Sequence, residues 1–110
     1  DLAARILEVG GQGAPPGVYH ATNGGRTTWW DLAREVFRLA GADPDRVHPV
    51  SSAAFAAGRA ASASVTAPRP AWSVLGHGRW SAAGLPPMRD WLAALEAAMP
   101  ELLAAAERTA

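Results

Sequence analysis

Residues 28–41 contain the start signal, the periodicity and the stop signal of one α-helix. Thr28 can cap the amino terminus, and Asp31 follows three residues later in a pattern similar to a capping box. Gly41 can end the helix, because glycine adopts the left-handed conformation easily. Between these signals, apolar residues recur at helical spacing: Trp29, Leu32, Ala33, Val36, Phe37 and Ala40. The pattern predicts an amphipathic helix with one apolar face.

Two short segments on either side of this helix have the composition of β-strands. Residues 17–22, GVYHAT, are β-branched and aromatic and lie between turn residues. Residues 47–52, VHPVSS, follow a tight turn that Asp43 caps and Pro44 begins, and Pro49 would confine this second strand to a sheet edge. The sequence therefore predicts an α/β fold, a small mixed helical domain with two or three short strands.

Helical patterns occupy both ends of the chain. Residues 1–9 have the apolar spacing of a helix that stops at the glycine pair 10–11, and this helix begins without a strong cap. We interpret that start as a sign that the chain is part of a longer protein. Residues 88–99 place large apolar side chains on one face, and Pro100 is expected to divide this helix from a last one at 101–109.

Alanine, serine and glycine predominate between residues 53 and 67. Phe55 is the only large apolar side chain there, so this stretch can bury little surface. We expect a mobile surface loop over residues 56–68. The remaining elements fit a single domain spanning residues 1–110.

The composition excludes several classes of site. Ten basic and ten acidic residues cancel, so neither nucleic acid nor an anionic membrane is a favoured partner. The absence of cysteine excludes disulfide and thiolate chemistry, and the absence of lysine excludes Schiff bases and a P-loop. Because no apolar run approaches ~20 residues and no signal peptide is recognisable, we expect a cytoplasmic protein.

Arg69 is the most distinctive candidate for a binding role. Pro70 restricts the residue before it to an extended backbone, so the chain orients the guanidinium next to the apolar run that follows. A rigid planar fork in that position suits a bidentate oxyanion such as pyrophosphate or a carboxylate. An ion pair with an acidic residue of the same domain explains the residue equally well at this point.

Other candidates favour structural interpretations. The glycine pair 24–25 lacks the G-x-G-x-x-G spacing of a dinucleotide turn, and His20 is interpreted as a packed, hydrogen-bonded residue. No histidines have the spacing of metal ligands. Trp30 and Trp80 have no evident packing partners in the sequence. Three other tryptophans have apolar neighbours and are predicted to pack in the core: Trp29, Trp72 and Trp91.

Two motifs together resemble a known family. The stretch GVYHATNGGRTTWWDLAREVFRLAG at 17–41 and the stretch APRPAWSVL at 67–75 are similar to the carboxy-terminal region of dTDP-4-dehydrorhamnose reductases, within the extended short-chain dehydrogenase/reductase group. The resemblance implies that this chain is the substrate-binding lobe of an oxidoreductase and lacks its Rossmann domain. It also implies that the complete enzyme reduces dTDP-4-dehydro-L-rhamnose to dTDP-L-rhamnose with NADPH.

The same resemblance implies roles for particular residues. Arg69 would bind the pyrophosphate of the dTDP-sugar, and Trp72 and Ser73 of the same motif would also contact the substrate. The family's Tyr-x-x-x-Lys pair and its cofactor turn belong to the Rossmann domain, so no catalytic or NADPH-binding residue is expected here. Tyr19 is followed four residues later by Asn23 and does not match that pair. Some members need magnesium at a homodimer contact, but this sequence places no ligand for it.

Two other classes of function stay open. A reductase-like fold also serves as the non-catalytic regulatory subunit of methionine adenosyltransferase, and a helical protein-interaction domain would be indicated by an exposed patch of Trp30 and Trp80. The sequence also departs from the family pattern. Gly76 occupies the place of a usual aspartate, and residues 77–80 replace a short polar turn.

Overall fold

The structure, a computed structural model, describes residues 1–59 and 70–109. Within these residues the chain forms five α-helices and one short 3-10 turn at Pro44–Arg46. The helices are α1 at Leu2–Gly11, α2 at Trp29–Leu39, α3 at Ser52–Arg59, α4 at Gly78–Ala82 and α5 at Trp91–Glu107. None of the described helices combines the length and the hydropathy that crossing a membrane requires.

The prediction of an α/β fold with two or three strands is wrong. The described residues contain no strand, and the nearest feature is one isolated parallel bridge between Gly24 and Asp90. Residues 17–22 form no backbone ladder, although their composition suits a strand, because a strand requires a paired neighbour. Residues 47–51 are likewise irregular.

A helix replaces the start of the predicted surface loop. Residues 52–59 form α3, and the side chain of Ser51 accepts a hydrogen bond from the backbone N–H of Ala54 over 3.1 Å. The serines at the end of the predicted second strand therefore begin a helix, which is a common use of serine. Alanine, the strongest helix former, continues it. The rest of the predicted loop, residues 60–68, lies outside the described residues.

The chain divides into two compact units. One unit combines Asp1–Arg26 with Val74–Ala110 and contains α1, α4 and α5. The other unit is Thr27–Ser73 and contains α2, the 3-10 turn and α3. The chain passes from one unit to the other after Arg26 and again after Ser73. The second boundary lies inside the motif that the sequence identifies as the candidate binding segment.

The predicted helix after Thr28 is confirmed, together with both of its end signals. The hydroxyl of Thr28 accepts from the backbone N–H of Asp31 over 3.0 Å. At the other end Gly41 has φ +70°, and its N–H donates to the carbonyl of Arg38 over 3.1 Å. The N–H of Ala42 donates to the carbonyl of Phe37, five residues earlier, over 2.9 Å, which completes a Schellman motif.

Polar contacts join α2 to the 3-10 turn. Arg34 donates to the carbonyl of Pro44 over 3.1 Å and to the carboxylate of Asp45 over 3.0 Å. The guanidinium of Arg34 also lies 5.2 Å from the ring centre of Trp30, whose Nε1 donates to the carbonyl of Val47 over 2.9 Å. Arg34 and the carbonyl of Val47 are therefore the partners of Trp30 that the sequence did not reveal. The turn itself is capped by Asp43, as predicted.

Helix α5 continues through Pro100, so the prediction that Pro100 separates two helices is wrong. Asp90 caps the helix by accepting from the N–H of Leu92 over 2.9 Å, and Met99, next to the proline, is buried. Proline removes one backbone donor and disfavours a helix interior. The alanines and leucines on both sides have high helix propensity, and together with the buried Met99 they keep the segment helical.

Candidate functional site

Two of the three predicted binding residues, Trp72 and Ser73, lie in described chain next to the boundary at Ser73 and Val74. Arg69 lies outside the described residues. Trp72 and Ser73 lie in irregular chain at residues 70–75, which we call the linking segment. Trp72 is 64% exposed and Ser73 is exposed, so the prediction that Trp72 packs in the core is wrong. An exposed indole can meet a planar or apolar ligand.

The residues that follow the linking segment are tied to residues 20–22. Nδ1 of His20 donates to the carbonyl of Gly76 over 3.2 Å. The hydroxyl of Thr22 and Nε2 of His77 share a hydrogen bond of 2.8 Å. Nε1 of Trp80 donates to the carbonyl of His20 over 2.8 Å. We call these three hydrogen bonds the clamp.

Arg79 and Tyr19 extend the contact between the same two stretches. Nη2 of Arg79 donates to the carbonyl of Pro16 over 2.7 Å, and its guanidinium lies 5.3 Å from the ring centre of Tyr19. Any side chain at Gly17 would overlap this guanidinium, so the glycine permits the close approach. The hydroxyl of Tyr19 donates to the carbonyl of Pro15 over 2.7 Å. Both the ring and the hydroxyl of Tyr19 are therefore engaged in contacts within the protein.

Side chains of the protein occupy the space next to Gly25 in the glycine pair 24–25. Gly25 has φ +80°, and a Cβ there would overlap the carboxylate of Asp90 and lie 2.9 Å from Cδ1 of Trp91. An acidic side chain against the turn would repel a pyrophosphate. The turn therefore does not fit the pyrophosphate of a dinucleotide, and the positive φ of Gly25 agrees with the structural interpretation of the glycine pair.

A shallow cavity of about 310 Å³ lies beside α1. Nε of Arg89 donates to Asp1 over 2.6 Å, and Arg5 pairs with Glu8, so both arginines of the cavity are neutralised by carboxylates. This arrangement does not suit an anion. Within residues 1–59 and 70–109, no three histidine, aspartate or glutamate side chains are grouped closely enough to hold a metal ion.

Residues 1–104 match the RmlD substrate binding domain. The chain belongs to this family. Its match includes the clamp and the linking segment. No solved structure gave a significant match to the chain.

Three curated relatives of this RmlD-family chain are reductases of dTDP-linked compounds by name. The chain is 54% identical to the probable dTDP-4,6-dihydroxy-2-methyloxan-3-one 4-ketoreductase of Streptomyces antibioticus, over 96% of this chain and 33% of the relative. It is 49% identical to the dTDP-4-dehydrorhamnose reductase of Streptomyces griseus, over 98% and 34%. It is 48% identical to the dTDP-4-keto-6-deoxy-D-glucose reductase of Streptomyces niveus, over 93% and 32%. The chain thus spans about a third of the length of these relatives.

Sequence reasoning located the linking segment of this family member but missed the clamp. His20 is hydrogen-bonded as predicted, although it is exposed and not in a strand. Thr22 and His77 received no role, because 55 positions separate them. The available signal was weak: two polar side chains beside short glycine-containing stretches.

Proposed function

We propose that this chain is the substrate-binding part of an NADPH-dependent reductase that acts on a dTDP-linked 4-keto-6-deoxysugar. The observation that carries the proposal is the family match over residues 1–104, joined with relatives of 48–54% identity whose names all specify reduction of a dTDP-sugar ketone. The sugar is dTDP-4-dehydro-L-rhamnose or a related 4-keto-6-deoxyhexose, since the relatives' names differ in this respect.

The chemistry is divided between this chain and the rest of the protein. The glycine turn at residues 24–25, the one that most resembles a cofactor turn, does not fit NADPH, because the Asp90 carboxylate lies against it. In the proposal, a Rossmann domain in the remaining two thirds of the protein binds NADPH and carries the catalytic residues, and the enzyme is cytoplasmic. A homodimer is the assembly that the family resemblance suggests, and we assign no magnesium ligand in this chain.

In this proposal, the substrate is bound by Arg69, Trp72 and Ser73. The Arg69 guanidinium pairs with the two phosphates, because Pro70 keeps its backbone extended and its fork matches a diphosphate. The exposed face of Trp72 packs against the nucleotide or the sugar, and the Ser73 hydroxyl provides a hydrogen bond.

The alternative of a helical interaction domain has lost its main support. An exposed patch of Trp30 and Trp80 would have supported that hypothesis, but Trp80 is 4% exposed and its N–H bonds to the carbonyl of His20. A regulatory subunit of the methionine adenosyltransferase type is less well supported than a reductase, since the relatives described above are reductases by name.

Replacing Arg69 in the full-length protein tests the proposal. Arg69→Ala is expected to weaken dTDP binding by about 1.5–3 kcal/mol, the scale of a charge-assisted hydrogen bond. Arg69→Lys should recover only part of this, because lysine keeps the charge but not the planar fork. Isothermal titration with dTDP measures both variants.

Arg108→Ala is the matched control, because it removes an arginine at the end of α5. It should leave the dissociation constant for dTDP unchanged. Equal affinities of the wild-type protein and Arg69→Ala would remove Arg69 from the site. Failure of the wild-type protein to bind dTDP would contradict the proposed function as a whole.

A further inference from the structure

The linking segment contains no helix and no strand. Its residues 70–75 form no helix, and its apolar side chains stay partly in solvent: Trp72 at 64%, Val74 at 44% and Leu75 at 43% exposure. A segment of this kind loses backbone and side-chain freedom when it binds a ligand, and that loss weakens binding.

The clamp restricts the carboxy-terminal end of this segment. Gly76 and His77, the two residues directly after it, are the ones that bond to His20 and Thr22. Glycine at 76 and 78 would otherwise leave the backbone unusually free here. The hydrogen bonds of the clamp therefore restrict the backbone at Gly76 and His77, which the two glycines alone would leave flexible.

Trp80 gives the clamp a rigid base. Its indole is buried, its ring meets the ring of Tyr19 edge-on with 5.9 Å between centroids, and its N–H bonds to the carbonyl of His20. The clamp residues belong to one compact unit, so their geometry does not depend on the placement of the other unit.

We infer that Thr22 and His77 are positioning residues for nucleotide binding: their hydrogen bond holds the end of the linking segment, so that less freedom is lost when dTDP binds. This inference rests on the proposed function. It assigns a binding role to two residues that do not touch the ligand, and it predicts that their effects are coupled through the one hydrogen bond they share.

The test uses the full-length protein with dTDP as the probe. Thr22→Val removes the hydroxyl at nearly constant volume and is expected to raise the dissociation constant for dTDP about three- to tenfold, the range of one hydrogen bond. Thr22→Ser keeps the hydroxyl and should restore wild-type affinity. His77→Phe should raise the dissociation constant by a similar factor. The double variant should bind dTDP as tightly as either single variant, since both changes remove the same hydrogen bond.

Two further measurements distinguish positioning from simple destabilisation. Amide hydrogen exchange in residues 73–77 should be faster in Thr22→Val, whereas exchange in α5 should be unchanged. In the reductase assay, KM for the dTDP-sugar should rise while kcat stays the same. Thr109→Val is the matched control, because that hydroxyl donates to the carbonyl of Ala105 at the end of α5, and it should change none of these quantities.

The outcomes separate this inference from the proposed function. If the wild-type protein binds dTDP and Thr22→Val binds it equally well, the positioning role is overturned and the proposed function stands. Additive effects of Thr22→Val and His77→Phe would also overturn it. If the wild-type protein does not bind dTDP, both the proposed function and this inference are wrong.

Discussion

Trp80 combines packing and hydrogen bonding in one side chain. The indole is 4% exposed, its ring meets Tyr19 at an interplanar angle of 81°, and its Nε1 donates to the carbonyl of His20. The buried N–H therefore has a partner, as buried polar groups require. At the scale of single residues, Trp80 is the one most responsible for holding residues 17–22 in place without a sheet.

Two substitutions separate the contributions of Trp80. Trp80→Phe keeps most of the ring but leaves the His20 carbonyl without this donor, so the free energy of unfolding should fall by about 1–2 kcal/mol. Trp80→Ala also loses the packed ring and should lower it by about 3–5 kcal/mol. Urea unfolding measures both values. Trp72→Ala, at an exposed tryptophan, is the control and should change stability by less than about 1 kcal/mol.

At the scale of elements, helices α2 and α5 differ in how they are stabilised. Helix α2 has a capping hydroxyl at Thr28 and a Schellman motif at Gly41. On its surface, Nε of Arg38 donates to Glu35 over 2.8 Å, and this hydrogen bond lowers the pKa of the Glu35 carboxyl. Helix α5 instead tolerates an internal proline because its neighbours favour helix and Met99 is buried.

Removing the proline should stabilise α5. Pro100→Ala restores a backbone donor for the carbonyl four residues earlier, and the expected gain in the free energy of unfolding is about 1–3 kcal/mol. Ala98→Gly, two residues away in the same helix, is the matched comparison and should lower stability by about 1 kcal/mol. Both effects are measured by urea unfolding followed by circular dichroism. A loss of stability in Pro100→Ala would contradict the account of α5 as a single strained helix.

At the scale of the whole molecule, the described residues bury few large side chains. The buried apolar residues are Trp80, Leu85, Met88 and Met99, all in the unit that contains the clamp. Several other large apolar side chains remain exposed, including Trp29 at 80%, where the sequence predicted core packing. A ligand that binds only the folded chain adds to the stability that this small core provides.

The effect of each ligand on stability therefore tests the proposal that this chain binds the dTDP-sugar and that the Rossmann domain binds NADPH. On this 110-residue chain, dTDP at about 100 times its dissociation constant should raise the free energy of unfolding by about 2.7 kcal/mol. NADPH should leave the midpoint of thermal unfolding unchanged, because the proposed function assigns its binding to the Rossmann domain. A rise with NADPH but not with dTDP would reverse the assignment of the two ligands.

Local signals in the sequence determined the helix after Thr28, its end at Gly41 and the turn at Asp43, because caps and turns are formed by residues only a few positions apart. The motifs at 17–41 and 67–75 together indicated the family, and the second motif pointed to the linking segment. The sequence could not determine whether residues 17–22 form a strand, since that depends on whether a distant segment offers backbone or side-chain partners.

The tertiary structure decided which contacts those residues make. It placed Thr22 beside His77 and His20 beside Gly76, pairs separated by 55 and 56 positions. It also decided which tryptophans are buried, because burial depends on what the folded chain places over a side chain and not on its neighbours in sequence. Contacts between residues far apart in the chain form only when the chain has folded, and for that reason the clamp could be found only in three dimensions.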